Sequence, residues 1–210
     1  MKMKNRFNVY DLFMFPLEAM VLKRLRRQLI PKAKGDVLEI GAGTGANLSY
    51  YRGEEISTLT MADKEVSRAM KKTIPIPACR CVDADILSLP FDDNHFDTVV
   101  ETLVLCSVAD VPAALGEIKR VLKPNGQFIH IDHGLPKKRG LKRVFKALAP
   151  LWYKMSQSCQ IDKTYAPDLE KAGFTTNPEG YTKRGVFYWG ISQPIDVNIE
   201  EETKEGGKRL

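Results

Sequence analysis

The chain has 210 residues, 43% hydrophobic and 28% charged, a composition that indicates one globular domain and argues against fibrous, disordered and disulfide-framework proteins. Its net charge of +6 is uneven, because residues 36–132 carry −6 between flanks of +7 and +5. The basic flanks fit either a solvated surface or an anionic membrane, and the lack of interleaved aromatic residues predicts no nucleic-acid partner. The sequence also shows neither an apolar run of about 18 residues nor a secretory signal, so we expect a cytoplasmic protein, at most peripheral to a membrane.

The first predicted element is an amphipathic helix closed by Pro31, because apolar residues recur every four positions at Leu17, Val21, Leu25 and Leu29. A buried strand follows at 36–40 and enters a glycine cluster, as parallel strands do before a tight turn. Strands and helices then alternate. We predict helices at 46–51, 64–72 and 112–122, and further strands at 57–62, 78–82, 96–103 and 127–132.

The pattern changes after residue 132. A basic helical stretch covers 138–155 and a shorter helix covers 166–172. Two β-rich runs, 174–181 and 185–192, predict an antiparallel hairpin at one sheet edge. Because parallel neighbours need crossover connections, the whole pattern predicts a doubly wound α/β fold with a seven-stranded, mostly parallel sheet.

The domain organisation follows from these elements. We assign residues 1–34 to an amphipathic helical cap, 35–193 to one α/β domain and 194–210 to a disordered tail with little apolar content. No Cys-x2-Cys pair stands near a histidine pair, and the cysteines are few and irregularly spaced. We therefore expect free thiols, no structural zinc and no metal ligands at the four cysteines, Cys79, Cys81, Cys106 and Cys159.

A glycine-rich turn, Gly41-Ala-Gly43-Thr-Gly45, lies between the first strand and the next helix. Glycines there let the backbone approach a ligand closely, so the turn predicts a nucleotide-like cofactor. By spacing alone it also matches the Gly-x-Gly-x-x-Ala dinucleotide fingerprint, with Asp63 about 20 residues further on. Glu39, two residues before the first glycine, would repel a pyrophosphate and suits a cationic ligand.

Four ordered segments resemble the successive motifs of class I S-adenosylmethionine-dependent methyltransferases: Val37–Gly45, Asp63, Asp85–Phe91 with Phe96-Asp97, and Leu122–Gly126. The resemblance covers about residues 35–133 and implies a Rossmann-like enzyme whose cofactor is S-adenosyl-L-methionine. Ala84 and Asn125 depart from the family pattern, because glycine is common at both positions.

The resemblance also implies cofactor contacts at the first two strands. Gly41, Gly43 and Gly45 would let the loop pass under the cofactor. Glu39 would lie near the methionine ammonium group, and Asp63 would accept hydrogen bonds from both ribose hydroxyls.

Further implied contacts come from the third and fourth strands. Asp85 would accept from the adenine amino group, the backbone of Ile86 would lie beside the ring, and Leu103 would lie near the methionine portion. A sulfonium and an ammonium group favour a pocket edged by carboxylates, and the acidic middle of the chain supplies them.

A narrower resemblance concerns the methyl acceptor. Thr102–Val108, Asp132-His133 and Ser158–Thr164 are similar to segments of the animal thiol S-methyltransferases of the methyltransferase-like group, which implies a thiol acceptor. The Tyr10-Asp11 opening before an amphipathic helix resembles bacterial phospholipid N-methyltransferases and quinone-pathway C-methyltransferases. These relatives imply a lipid or quinone acceptor at a membrane surface instead.

We therefore predict an S-adenosylmethionine-dependent methyltransferase of a small molecule, with a thiol preferred. His133, at the end of the fifth strand, is a candidate general base that Asp132 would orient, or it shapes the pocket instead. Methyl transfer from a sulfonium mainly requires alignment and exclusion of water, so a base is useful but not obligatory. Two alternatives of other classes are an NAD-dependent oxidoreductase and a non-catalytic cofactor-binding domain. The oligomeric state stays open.

Overall fold

The computed structural model describes residues 21–64, 78–136, 138–155, 159–176 and 187–195. The helix predicted after the second strand, the Tyr10-Asp11 opening and the chain beyond residue 195 lie outside these ranges.

A mixed sheet runs through the described residues, with seven strands in the order β3-β2-β1-β4-β5-β7-β6. Strands β1 to β5 pair in parallel, whereas β7 pairs antiparallel with both β5 and β6. This sheet confirms the predicted doubly wound fold and its antiparallel carboxyl-terminal hairpin. The strands are β1 Gly35–Ile40, β2 Ile56–Asp63, β3 Cys79–Asp83, β4 Phe96–Thr102, β5 Leu122–His133, β6 Phe174–Thr176 and β7 Phe187–Pro194.

The α-helices in the described ranges are α1 Lys23–Leu29, α2 Val111–Val121, α3 Arg139–Met155 and α4 Ala166–Lys171. The start of α2 is fixed by Asp110, whose carboxylate accepts a hydrogen bond from the Ala113 amide at 3.0 Å. Pro112 occupies the first turn, where its missing N–H costs no helical hydrogen bond. Within these ranges, no helix combines the length and the apolar content needed to cross a bilayer.

Apolar side chains pack in two clusters, one on each face of the sheet. Val37 and Leu38 are adjacent in β1 but belong to different clusters, because successive side chains of a strand point to opposite faces. Both residues are fully buried. The burial of both faces explains why β1 reads as a continuous apolar run rather than an alternating one.

Two elements differ from the prediction. The helix expected at 46–51 is a single 3-10 turn, Leu48–Tyr50, because Asn47 turns its side chain inward to β1. Strand β5 begins at Leu122 rather than at residue 127, so the residues between the predicted helix and the predicted strand also lie within β5. The register between β4 and β5 shifts there, as at a β-bulge, and this shift accommodates the extra residues.

Candidate active site

The carboxyl ends of β1 and β4 form a crevice at the switch point of the sheet. The chain continues from β1 to β2 on one side and from β4 to β5 on the other, so the two connections leave the crevice in opposite directions. Open α/β sheets bind their ligands at this position. A cavity of about 450 Å³ lies here, within the range of roughly 300–1,000 Å³ that is usual for small-molecule sites.

Five of the predicted cofactor residues line this cavity: Gly41, Asp63, Asp85, Ile86 and Leu103. Apolar side chains of Ile40, Val104 and Val108 complete much of the wall. The cavity thus combines two carboxylates with an apolar surface. The other predicted residues are outside the described lining: Glu39, Gly43, Gly45, Asp132 and His133.

The glycine turn takes a backbone path that side chains would block. Gly41 has a φ of +66°, and a Cβ atom there would collide with the side chain of Val104. The Gly43 amide donates a 2.8 Å hydrogen bond to Oδ2 of Asp63, which ties the turn to the end of β2. The turn and the acid predicted to serve one ligand are therefore in direct contact.

Leu103 follows β4 in a left-handed conformation, with a φ of +59°. A non-glycine residue pays about 1–3 kcal/mol for such a conformation and keeps it only when its surroundings enforce it. The enforcing contact is a 2.8 Å hydrogen bond from the Leu103 amide to the Ile131 carbonyl of β5. This bond holds Leu103 at the wall of the cavity.

Glu39 lies under the glycine turn and is 2% exposed. Its carboxylate accepts hydrogen bonds from Asn47 Nδ2 at 3.1 Å and from the Tyr51 hydroxyl at 2.7 Å. Burial raises the pKa of Glu39 to about 7, although both hydrogen bonds and the charge of Arg26 act in the opposite direction. The predicted acid thus braces the segment after the turn, and its contact with an ammonium group stays a prediction.

Asp85 stands at the exposed rim of the cavity. Its carboxylate accepts from the Leu87 amide at 3.1 Å and pairs with Lys64 Nζ at 3.1 Å. The Leu87 amide, followed by Lys64, lowers the pKa of Asp85. The neighbouring Ile86 is buried and forms part of the wall.

Two buried carboxylates, Glu101 and Asp132, lie at the ends of β4 and β5. Burial raises the pKa of both, and the charge of Asp132 raises the pKa of Glu101 further. Asp132 accepts from the backbone amides of Cys106 at 2.9 Å and His133 at 2.6 Å. It therefore holds two main-chain segments, and these hydrogen bonds do not orient the His133 ring as we predicted.

His133 is buried within a cluster of sulfur atoms. Its Nε2 lies 2.7 Å from Sγ of Cys159, whose sulfur lies 3.8 Å from Sγ of Cys106. The Trp152 indole also donates to Cys159 at 3.4 Å. The Nδ1 atom of His133 is buried with no hydrogen-bond partner among the described residues. The role of His133 as a base stays a prediction.

The charges of this cluster favour a thiolate beside an imidazolium. The hydrogen bond with Cys106 lowers the pKa of Cys159, and His133 acts in the same direction against burial. Burial lowers the pKa of His133, but Cys159 and the Asp132 carboxylate outweigh it, so the net shift is upward. All four cysteines are free, as predicted.

A second cavity of about 380 Å³ opens beside this cluster, between α3 and the segment that follows it. It is lined by Lys146, Ala149, Pro150, Tyr153, Gln160 and Asp162. Gln160 follows Cys159 directly, and its amide donates to the Cys106 carbonyl at 2.8 Å. The buried cluster is thus joined through the main chain to the wall of this second cavity.

The sequence patterns missed two parts of the site. Asn47 and Tyr51 gave no signal, because their contacts with Glu39 depend on how the chain turns after the glycines. The residues Cys106, His133 and Cys159 do not have the short sequence spacing that is typical of metal ligands, because they come from three distant segments. The position of His133 at the end of a strand indicated that residue, and the resemblance to thiol S-methyltransferases covered all three residues without predicting that they meet.

A family model and several curated methyltransferases are similar to this chain. Residues 38–130 match a family model described as "Methyltransferase domain". The thiol S-methyltransferase TMT1B of Rattus norvegicus is 30% identical over 146 residues, which are 66% of this chain and 59% of the relative. The 2-phytyl-1,4-naphtoquinone methyltransferase of Nostoc punctiforme is 37% identical over 115 residues, 54% of this chain and 48% of the relative. The chain thus spans about half the length of these curated relatives.

A solved structure supports the fold alone. The S-adenosylmethionine-dependent methyltransferase from Aquifex aeolicus matches with a TM-score of 0.58 and 18% identity. The match covers 90% of this chain and 94% of that chain. The described residues therefore share the Rossmann-like fold of that structure.

Proposed function

We propose that the protein transfers a methyl group from S-adenosylmethionine to a small-molecule acceptor, because residues 38–130 match a family model described as "Methyltransferase domain". The observation that carries this proposal is the cavity at the switch point, where Asp63 and Asp85 edge a wall of apolar side chains under a glycine turn. An acid at the position of Asp63 also serves the ribose of a dinucleotide, so the choice between the two cofactors rests on Glu39 below the turn, which would repel a pyrophosphate and attract a cation.

The residues present fit S-adenosylmethionine. A Cβ atom at Gly41 would meet the Val104 side chain, so the glycine lets the turn pack closely against the cavity wall, and Asp63 lies against that turn. In this proposal Asp63 accepts from the ribose hydroxyls and Asp85 accepts from the adenine amino group. Ile86 and Leu103 pack against the adenine ring and the methionine portion, while Glu39 supports the turn from below with its charge.

When bound, S-adenosylmethionine supplies a methyl group on a sulfonium, which is already activated for in-line displacement. The chain therefore has to hold the acceptor in line and exclude water. The apolar wall from Leu103 to Val108 is suited to exclude water on the side of β4.

A binding measurement tests the cofactor. Calorimetric titration with S-adenosylhomocysteine should show saturable binding to one site per chain, whereas titration with NADH should show none. Binding of NADH in place of S-adenosylhomocysteine would overturn the proposal and favour an oxidoreductase. Formation of S-adenosylhomocysteine with panels of thiols, amines and phenols then separates an enzyme from a silent cofactor-binding domain.

The acceptor we propose first is a thiol. Support comes from the similarity to thiol S-methyltransferase TMT1B, which extends beyond the family model. The thiols of the panel should therefore react faster than amines and phenols. A clear preference for a phenol or an amine would contradict the thiol proposal and leave the methyltransferase proposal intact.

A second candidate, a lipid or quinone acceptor at a membrane surface, is favoured by helix α3. This helix leaves four apolar side chains exposed by 41–60%, at spacings that put them on one face: Leu141, Val144, Leu148 and Leu151. The same helix carries basic residues and no acidic one. Exposed apolar and basic residues on one helix are typical of helices that lie in an anionic membrane interface.

Sedimentation with anionic and neutral vesicles tests this candidate. Anionic vesicles should bind the protein, and high salt should weaken the binding because exposed charges are screened. The double substitution Leu148→Glu with Leu151→Glu should abolish it. Ile195→Glu is the matched control, since Ile195 is also exposed but follows the end of β7 that pairs with the earlier part of β5, away from His133. Equal sedimentation of both variants would contradict membrane docking by α3.

A further inference from the structure

Three side chains with metal-binding atoms converge beside the crevice. Cys106 lies in the 3-10 helix after β4, His133 ends β5, and Cys159 follows α3. One ligand atom from each lies within 4.8 Å of the others, and all three residues are buried. We propose that Cys106, His133 and Cys159 form a binding site for a thiophilic divalent cation of the zinc type.

The donor set and its spacing fit such an ion. The two sulfur atoms are 3.8 Å apart, which is the separation of two sulfurs that each lie about 2.3 Å from a tetrahedral zinc ion. Two thiolates and one imidazole select zinc or cobalt over magnesium and calcium, which prefer oxygen ligands. When the ion binds, the 2.7 Å contact between His133 and Cys159 widens, because both atoms then face the ion.

The surrounding contacts hold the three segments together. Asp132 is fully buried and accepts from the backbone amides of both Cys106 and His133. The Gln160 amide donates to the Cys106 carbonyl, which joins the segment of Cys159 to the segment of Cys106. The Trp152 indole donates to the Cys159 sulfur, as outer-shell groups do at thiolate ligands. The main chains of the three segments are thus held together before any ion binds.

This inference revises two expectations from the sequence. Zinc sites are predicted from sequence by cysteines and histidines a few residues apart, whereas Cys159 lies 26 residues from His133 and 53 from Cys106. In addition, an Nε2 atom that binds a cation has no lone pair left for a proton, so the site replaces the role of His133 as a base. Three protein ligands leave one coordination position for an external ligand.

Metal binding by the full chain tests the proposal without any assay of methyl transfer. The reduced protein, stripped of metal and dialysed against limiting Zn²⁺, should retain one equivalent per chain by elemental analysis. With Co²⁺ it should show the intense visible absorption of tetrahedral cobalt and sulfur-to-cobalt charge-transfer bands. Zinc uptake near background by the folded wild-type chain would overturn the proposal, as would a cobalt spectrum without sulfur bands.

Variants locate the ion. Cys159→Ala should reduce retained zinc to background and weaken affinity by more than the roughly 10–100-fold that loss of an outer-shell partner causes. Cys81→Ala is the matched control, because Cys81 is a free, half-buried cysteine in β3, and it should retain one equivalent. Equal retention by both variants would place the ion elsewhere and overturn the assignment. Circular dichroism checks that each variant is folded. If a variant does not fold, the cobalt spectrum of the wild-type protein still tests the proposal.

Discussion

The two sides of the crevice are built in different ways. On the side of β2 and β3, the acids face a cavity and are open to water: Asp63 is half-buried, and the Asp85 side chain is 46% exposed. On the side of β4 and β5, Asp132, His133 and the two cysteines are buried and bonded to one another. Substitutions on the first side should change ligand binding, whereas substitutions on the second should change the stability of the fold.

The largest expected effect is on the buried side. Asp132→Ala removes the acceptor of two backbone amides, and each buried donor left unsatisfied costs about 1–3 kcal/mol. The free energy of unfolding should therefore fall by roughly 2–6 kcal/mol, as measured by urea denaturation. Asp85→Ala is the control on the exposed side and should change stability by less than about 0.5 kcal/mol. Similar losses in both variants would remove the distinction between the two sides.

Glu39 is an exception to this difference, because its side chain is buried although it lies on the side of the glycine turn. The pKa of Glu39 is about 7 in the fold, against an ordinary value of 4.5, so the folded state holds more protons between these pH values. The free energy of unfolding should therefore fall as pH rises from 4.5 to 7, by about 3 kcal/mol from this residue alone. Glu39→Gln should remove this component of the pH dependence.

The measurement is the difference in unfolding free energy between wild type and Glu39→Gln across pH 4 to 8. The wild type should lose stability relative to the variant as pH rises through the window. Glu54→Gln, at an exposed position near the start of β2, controls for the exchange itself. A difference that stays constant with pH would show that burial of Glu39 does not cost what its surroundings imply.

The same difference between the two sides explains which structural features could be predicted from the sequence. The glycine turn, Asp63 and Asp85 follow directly after strands, so their placement needs only the strand positions and the parallel order. The parallel strands and helix α2 were predictable for a similar reason, because their apolar periodicity is local. The 3-10 turn at 48–50 was missed, since the inward contact of Asn47 with Glu39 depends on tertiary structure. The contacts around Cys159 also depend on tertiary structure, so the sequence did not predict them.

The binding of S-adenosylhomocysteine tests the exposed side of the crevice. Asp63→Ala should weaken the binding of S-adenosylhomocysteine by about 1–3 kcal/mol, because the proposed charge-assisted hydrogen bonds to the ribose are lost. Stability should change little, since the bond from the Gly43 amide to Asp63 is exposed to water. Asp92→Ala, in an exposed turn, is the control for calorimetry. Unchanged affinity in the Asp63 variant would remove this residue from the site.

The smallest effect belongs to Asp85, because its exposed carboxylate is already paired with Lys64. Asp85→Asn keeps an acceptor for a ligand amino group and removes only the charge, so it should weaken S-adenosylhomocysteine binding by less than about 1 kcal/mol. Lys64→Gln should act in the opposite direction, since it removes a cation that competes for the same carboxylate. Calorimetry at low and high salt separates the two contributions, because screening reduces the effect of Asp85→Asn and leaves a hydrogen bond intact. A loss as large as that of Asp63→Ala would indicate that Lys64 turns away and Asp85 contacts the ligand directly.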